Sequence, residues 1–463
     1  MELSIDLQRR TDMFVSGFLD IGMRKNIRIF QLALAAVAMT ASISCGSEDS
    51  QERLKKISEK IFFPDDASES ELTSLAVSPD GTYAIATRTL ITTDSSGAQT
   101  DCSGELVFID LSEDKIGDVL HRLPVGPMPD AVAISNDGKY AVSADERDGL
   151  DAWGKCRVTG KLPSISVVDL SQGPASASVR SRIVMEEDIQ VTGPREPEYV
   201  AISRDNNRVL VTLQDSHEVA VFDISQLPQG DVSSDSDAVS IVKLPPNDLG
   251  AYPWPDGILR FDDAAGAEFF AIAGEWNDRL IVVDRNGRAV ANKEISASEV
   301  PSSFPRLIES GSPLFSPDSL AGFSYGGRPY IAVTLRYAGA VAFYDMSDAS
   351  APVWRTAVKV GKNEQGGQDE SGSTIRPEGI CAAQDGSYVL TANEKESSAS
   401  LIVPDSHQSD EGQLYLGFND ETILMGKSDN AEIVRTIPGK PGRVLLLSSK
   451  ARKLTLFEVR EGD

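Results

Sequence analysis

The stretch VGPMPDAVAISNDGKYAVSADE (Val125–Glu146) holds two short apolar runs, AVAIS and KYAVSA, split by Asn-Asp-Gly. Val, Ile and Ala on either side of such a turn read as a β-hairpin. The pair Pro129-Asp130 places a carboxylate directly in front of the first apolar strand. The arrangement then recurs along the chain. LTSLAVSPDGTYAIAT starts at Leu72, EYVAISRDNNRVLVTL at Glu198, DGILRFDDAAGAEFFAIAG at Asp256, DSLAGFSYGGRPYIAVTL at Asp318 and EGICAAQDGSYVLTAN at Glu378. Each is a hairpin with a polar or glycine-containing turn.

A third strand follows each hairpin: ELVFIDLS, SISVVDLS, VAVFDIS, LIVVDRN, AVAFYDMSD, SASLIVP and KLTLFEV. These are seven segments spaced by roughly 55 to 60 residues, somewhat beyond the period of common propeller repeats. SRIVME and VSIVKL read as fourth strands, and the last repeat is degraded, with GRVLLLSS as its second strand. Four antiparallel strands repeated at this period describe a propeller blade. The expected fold is therefore all-β, a seven-bladed β-propeller with few helices. A single blade exposes two apolar faces, and stacking its neighbours buries them. The seventh blade runs out of chain at Val459, so KISEKIFFP (Lys56–Pro64) is expected to supply its outer strand and close the ring.

The repeats resemble the YVTN-type propellers, and more closely the choice-of-anchor I propeller domain of bacterial surface and exported proteins. VGPMPDAVAISNDGKYAVSADE, EPEYVAISRDNNRVLVTLQDSHEVAVFDIS, WPDGILRFDDAAGAEFFAIAGEWNDR and RPEGICAAQDGSYVLTANE carry the likeness, which runs from about Leu72 to Val459. It implies an extracytoplasmic, often anchored propeller. Relatives are often joined to phosphatase or esterase modules, for which this chain has no room. The family's acidic-Gly pair after the second strand reads here Glu146-Arg147, Glu275-Trp276 and Glu394-Lys395.

The N-terminal region agrees with export. From Met23, MRKNIRIFQLALAAVAMTASISC gives a basic n-region, an apolar stretch too short for a comfortable membrane span, and small residues before Cys45. Residues 1–45 are expected as a leader with a lipoprotein-type signal, lipidated at Cys45, with translation starting near Met23. Cleavage without lipidation is the competing reading, because Ser42 stands where such signals favour Leu. Residues 46–56 are expected as a polar tether and 57–463 as the propeller. The location expected is a bacterial cell envelope, with contact to the membrane through the lipid only.

The chain has 70 acidic and 44 basic residues, a formal charge of −26, and no basic stripe, so nucleic acid is not an expected partner. No CxxCH motif, zinc spacing, GxSxG or Walker loop occurs, which argues against haem, a nucleotide cofactor and a serine nucleophile. Cys102 and Cys156 precede the third strands of neighbouring blades, and an oxidising compartment would favour a disulfide between them. Cys381 lies inside an apolar strand and reads as a buried small residue.

The entry carboxylates carry the functional expectation. Asp130, Glu198, Asp256, Asp318 and Glu378 each follow a proline at the start of a first strand. The first repeat has Thr73 there, and the seventh shows no clear counterpart. First strands line a propeller's central channel, so equivalent positions should form a ring at one mouth. Grouped carboxylates repel and raise one another's pKa unless a cation or arginines compensate. Ca²⁺ or Mg²⁺ would suit such oxygen donors. The same residues could instead hold the turns by hydrogen bonding to backbone N–H groups. Glu146, Asp215, Glu275 and Glu394 at the second-strand ends are expected at the same mouth, with Trp254 and Trp276 nearby. The function expected is a monomeric binding module for an envelope protein, a glycan or a small ligand. The alternative is a metal-dependent, lactonase-like hydrolase.

Overall fold

The alternating Val, Ile and Ala runs all form strands, because each can bury one face against the next sheet. A computed structural model describes residues 52–63, 69–96, 98–146, 160–185, 194–309, 312–362, 375–404, 416–426 and 429–460. Cys45, Arg147 and Cys156 lie outside the described residues, as do the leader and most of the tether. The inner strands of blades 1 to 7 are Glu69–Val77, Pro129–Ile134, Pro197–Ile202, Pro255–Asp262, Pro317–Tyr325, Pro377–Ala382 and Ala431–Thr436. Each leads into an antiparallel four-stranded sheet. Blade 2 carries a fifth strand that the repeats did not suggest. Gly230–Ser233, from the blade 3 connection, runs parallel to the outer strand Ser178–Val184 and covers that edge. Among the described residues the only helices are three short 3₁₀ turns, and none is long and apolar enough to cross a membrane.

Closure is made by the N-terminal strand. Leu54–Ile61 pairs antiparallel with Lys453–Val459, Leu54 opposite Val459 and Ile61 opposite Lys453. The strand begins at Leu54, inside the stretch expected as tether. Arg88 reinforces the seam. It is buried, donates to Glu105 at 2.7 Å, and lies 3.7 Å from the ring centre of Phe63.

The core is distributed between blades rather than gathered at a centre. Seven large apolar clusters sit one at each blade interface: Ala131 and Val142 of blade 2 with Val209 and Val211 of blade 3, for example, and Leu72 and Ala84 of blade 1 with Leu445 and Leu454 of blade 7. No blade can lose its neighbour without exposing half its apolar surface.

Inside blade 2, Asp145 is fully buried. It accepts hydrogen bonds from Ser143, Ser164 and Ser166 hydroxyls at 2.8, 2.8 and 2.6 Å and from the Gly126 N–H at 3.1 Å. Burial pushes its carboxyl up to about 6, against those four bonds. Blade 6 has Asn393 in this place, bonded to Thr391, Ser398 and Ser400. A folded-state pKa above the unfolded value of about 3.9 means that stability from this group is complete at low pH. It declines as pH rises toward and through about 6. Asp145→Asn is therefore expected to remove that part of the acid-to-neutral decline while keeping the fold. Asp145→Ala should cost about 2–4 kcal/mol by stranding buried donors. Denaturant midpoints of both variants from pH 4 to 8 check this.

Candidate functional site

Each inner strand breaks register where it enters the sheet. The shifts fall between Leu72 and Leu75, Pro129 and Ala131, Pro197 and Val200, Pro255 and Ile258, Pro317 and Leu320, Pro377 and Ile380, and Ala431 and Ile433. Thr73, Asp130, Glu198, Asp256, Asp318, Glu378 and Glu432 all lie in these bulges. A bulge removes a residue from the ladder and re-aims its side chain, here away from the blade interfaces. In six blades one bond closes the bulge: the N–H one residue past the second strand donates to the carbonyl just before the inner strand. The pairs are Glu146 to Met128, Gln214 to Glu196, Glu275 to Trp254, Arg336 to Ser316, Glu394 to Arg376 and Ser449 to Asn430, at 2.9–3.0 Å. Met128, Ser316, Arg376 and Asn430 have φ of 47°, 56°, 50° and 52°. Strain of this kind persists only where surroundings hold it. At Ser316 the holder is Asp278, whose carboxylate accepts the N–H groups of Phe315 and Ser316, each at 3.0 Å.

Neighbouring bulges interlock. The Thr212 hydroxyl of blade 3 donates to the Asp256 carbonyl at 2.8 Å, and Thr334 of blade 5 to the Glu378 carbonyl at 3.4 Å. Blades 4 and 6 have glycine after the carboxylate instead. A Cβ on Gly257 would lie 2.3 Å from the Asp318 carbonyl oxygen, and one on Gly379 would lie 2.4 Å from that of Glu432. Gly379→Ala is accordingly expected to cost about 3 kcal/mol, from backbone displacement that no side-chain rotamer can relieve. A lower denaturant midpoint with unchanged m-value checks this; wild-type stability would contradict it.

The result is one cavity of about 310 Å³ at the channel mouth, lined from all seven inner strands. The five expected carboxylates Asp130, Glu198, Asp256, Asp318 and Glu378 all line it. So do Glu146, Glu275 and Glu394 from the second-strand ends. Asp215 does not: its neighbour Gln214 is the residue whose N–H closes the bulge, so Gln214 takes the lining place and the following residue turns elsewhere. Glu432 is the blade 7 counterpart that sequence reading missed, because Ala431 stands there in place of the marker proline. Arg336 and Arg376 were missed too; Arg336 occupies the register position of Glu146 and Glu275. Tyr199 reaches past blade 4, its hydroxyl 3.1 Å from that of Ser319 in blade 5, so its ring lies across part of the channel.

Among the described residues nine carboxyl groups and two guanidinium groups line this cavity, and the two guanidinium groups, Arg336 and Arg376, engage carboxylates of blades 4 to 6. Arg336 contacts Glu275 at 2.6 Å, Asp318 at 3.2 Å and Glu378 at 3.1 Å. Arg376 contacts Glu378 at 2.8 Å and Glu394 at 3.2 Å. Burial opposes the charge on Arg336, but Glu378, Glu275, Asp318 and Asp256 hold it well above its usual value. Burial and the charge of Glu275 raise Asp256, with Arg336 opposing. Burial, Asp256 and Glu378 raise Asp318. Burial and Glu378 push Glu394 up to about 7.

The opposite side is different. Ligand-type oxygens of Asp130, Glu146 and Glu198 lie within 4.8 Å of one another. Glu198 is buried at 6% exposure. Burial raises its pKa, and the neighbouring charges Glu146, Asp130, Asp256 and Glu196 raise it further. Those are hard oxygen donors at a spacing one cation could bridge, around a carboxyl whose charge lacks a favourable setting. A side cavity of about 130 Å³ between blades 1 and 2 adjoins this group through Thr73, Asp130 and Glu146. Cys102, expected to pair with Cys156, is buried and disulfide-bonded, and Cys381 is a free buried thiol.

A family model described as the Choice-of-anchor I domain matches residues 31–275. No curated protein matches the chain. Among solved structures, the Cps50 (Swd1) β-propeller domain of Myceliophteria thermophila is similar at TM-score 0.52 and 13% identity, covering 84% of this chain and 97% of its own. The Pseudomonas aeruginosa periplasmic gluconolactonase PpgL is similar at TM-score 0.52 and 15% identity, with 77% and 86% covered. A protein of Bacteroides uniformis described as a putative 6-phosphogluconolactonase gives 0.52 and 14%, with 80% and 91% covered. At these identities the likeness is one of fold.

Proposed function

The chain belongs to the choice-of-anchor I family, and on that premise we propose that it is an envelope-tethered binding propeller whose channel mouth takes up a hard divalent cation. The observation that carries this is the convergence of Asp130, Glu146 and Glu198 within 4.8 Å. Calcium takes six to eight oxygen ligands. Three carboxylates supply part of that set, and water or a ligand supplies the rest from the open side. A cation here would offset the mutual repulsion around Glu198, the term that the arginines offset on the far side. Mg²⁺ satisfies the same donors with a stricter octahedron. The ligand is an envelope protein, a glycan or a small molecule met at this mouth by a monomeric chain.

A hydrolase reading uses the same site. A cation bound there would polarise a lactone carbonyl or acidify a bound water, and a protonated Glu198 could donate to the leaving oxygen. Two experiments on purified protein separate the readings. Metal content after dialysis against calcium should be close to one equivalent, falling to background in Asp130→Asn/Glu146→Gln. Turnover across a panel of lactones and phosphoesters should be absent for a binding module and metal-dependent for a hydrolase. A chain without stoichiometric metal would end both readings.

Tethering rests on the leader reading. Metabolic labelling with an alkyne fatty acid should mark the full-length protein and not Cys45→Ala. Equal labelling of both would remove the lipid anchor.

A further inference from the structure

In blades 3, 4, 6 and 7 the residue just before the third strand has a left-handed backbone. His217, Asp278, Ser397 and Arg452 have φ of 60°, 51°, 52° and 48°. Such values are uncommon outside glycine, and here each side chain meets the entry of the next blade. The His217 ring lies 5.9 Å from that of Trp254, and Arg452 donates to the Ser70 hydroxyl at 3.1 Å across the closure seam. The Ser397 hydroxyl accepts the Asn430 N–H at 3.2 Å. Asp278 Oδ1 accepts the N–H groups of both Phe315 and Ser316, each at 3.0 Å. Ser316 and Asn430 hold the same place, directly before an inner strand, with φ of 56° and 52°. One device therefore serves two seams, with a hydroxyl at one and a carboxyl, which can take up a proton, at the other.

The turn that Asp278 holds leads straight to the mouth. The Ser316 carbonyl accepts the Arg336 N–H at 2.9 Å, and the Phe315 carbonyl accepts that of Tyr337 at 3.0 Å. The Ser316 hydroxyl donates to Glu275 at 3.1 Å. Arg336 then reaches Glu275, Asp318 and Glu378. We propose that Asp278 is a proton-operated latch, which fixes the blade 5 entry and, through it, the place of Arg336 in the mouth. Asp278 is only 7% exposed. Among the described residues the charged and titratable groups around it are Arg279 and Glu294 of its own blade, Glu299 paired with Lys293, Arg306 over the Phe315 ring, and Tyr344 of blade 5. Burial pushes the Asp278 carboxyl up to about 7 against the two N–H bonds and Arg279, with Glu294 adding to the rise. Oδ2 can carry the proton while Oδ1 keeps both N–H groups. A conformer that releases the turn puts this carboxyl in water, where it titrates at about 3.9. The closed latch therefore binds the proton more tightly. It is most secure in acid, weakens as pH rises toward 7 and levels off above it.

The latch regulates the mouth that the binding reading uses, and it rests on that reading for its consequence alone. Its test needs no ligand. Backbone hydrogen exchange of the full chain, corrected for the intrinsic rate, reads the N–H groups of Phe315, Ser316, Arg336 and Tyr337 from pH 5 to 8. Their protection is expected to fall by up to about tenfold per pH unit between pH 5 and 7 and then to level off. Asp278→Asn keeps the accepting oxygen and has no proton to lose, so its protection should be flat with pH. Asp278→Ala should lose about tenfold or more at pH 5 at the same four sites, and Asp278→Ser, which copies the blade 6 arrangement, should restore part of it at Ser316. Equal pH slopes in wild type and Asp278→Asn would overturn proton control. Wild-type protection of Arg336 in Asp278→Ala would overturn the latch itself. A mouth that takes up neither metal nor ligand would count against the binding module, and these four amides would still decide the latch.

Discussion

Arg336→Ala is expected to destabilise the propeller by about 3–5 kcal/mol, the usual cost of stranding buried charges by removing one partner. Arg336 is the shared counter-ion of Glu275, Asp318 and Glu378, which come from blades 4, 5 and 6. Without it these carboxyls must either stay charged in a buried site or take up protons. The pH dependence therefore has a definite sign. Asp256 already titrates above its usual range because of burial and the charge of Glu275, and Asp318 because of burial and the charges of Asp256 and Glu378, so folding favours their protonated forms. Stability from such groups is present at low pH and is lost as pH rises through the folded-state values. Removing the guanidinium raises those values further. The variant should lie close to wild type near pH 4.5 and fall progressively behind it up to pH 8. Denaturant midpoints across that range measure it, and a loss equal at both ends would mean that packing, not charge, was removed. Arg336→Lys should restore only part, since one ammonium cannot copy the fork that reaches three carboxylates.

Calcium titration should give the second large effect. At one hundred times its dissociation constant, a ligand bound only by the folded state adds about 2.7 kcal/mol. That increment should vanish in Asp130→Asn/Glu146→Gln and persist in Glu378→Gln, whose contacts are to Arg336 and Arg376. Without calcium, the double variant should be at least as stable as wild type, because it removes repulsion around Glu198. Affinity should depend on pH in the opposite sense to the arginine effect. Glu198 holds its proton above the ordinary carboxylate range through burial and the charges of Glu146 and Asp130. Binding must displace that proton, so affinity weakens as pH falls, by about tenfold per unit below the Glu198 value if one proton is released. Calcium stabilisation that is flat from pH 5 to 8 would place the cation away from Glu198.

The sequence by itself determined the propeller. Period-two runs of Val, Ile and Ala, broken by Asn-Asp-Gly and Pro-Asp-Gly turns, admit few structures, and seven copies need a ring to bury their faces. It also marked Asp130, Glu198, Asp256, Asp318 and Glu378, because a proline ahead of each keeps its strand entry recognisable. Glu432 lost that marker with Ala431 and went unseen, and Asp215 was chosen over Gln214 because acidity, not the bulge-closing N–H, guided the choice. Tertiary structure alone decided how the ring divides. Which carboxylates meet Arg336, and which gather at Asp130, Glu146 and Glu198, depends on side chains from different blades that the ring brings to one mouth. Local pattern carries the strand and its bulge. Charge pairing across a channel is a long-range property, and no repeat encodes it.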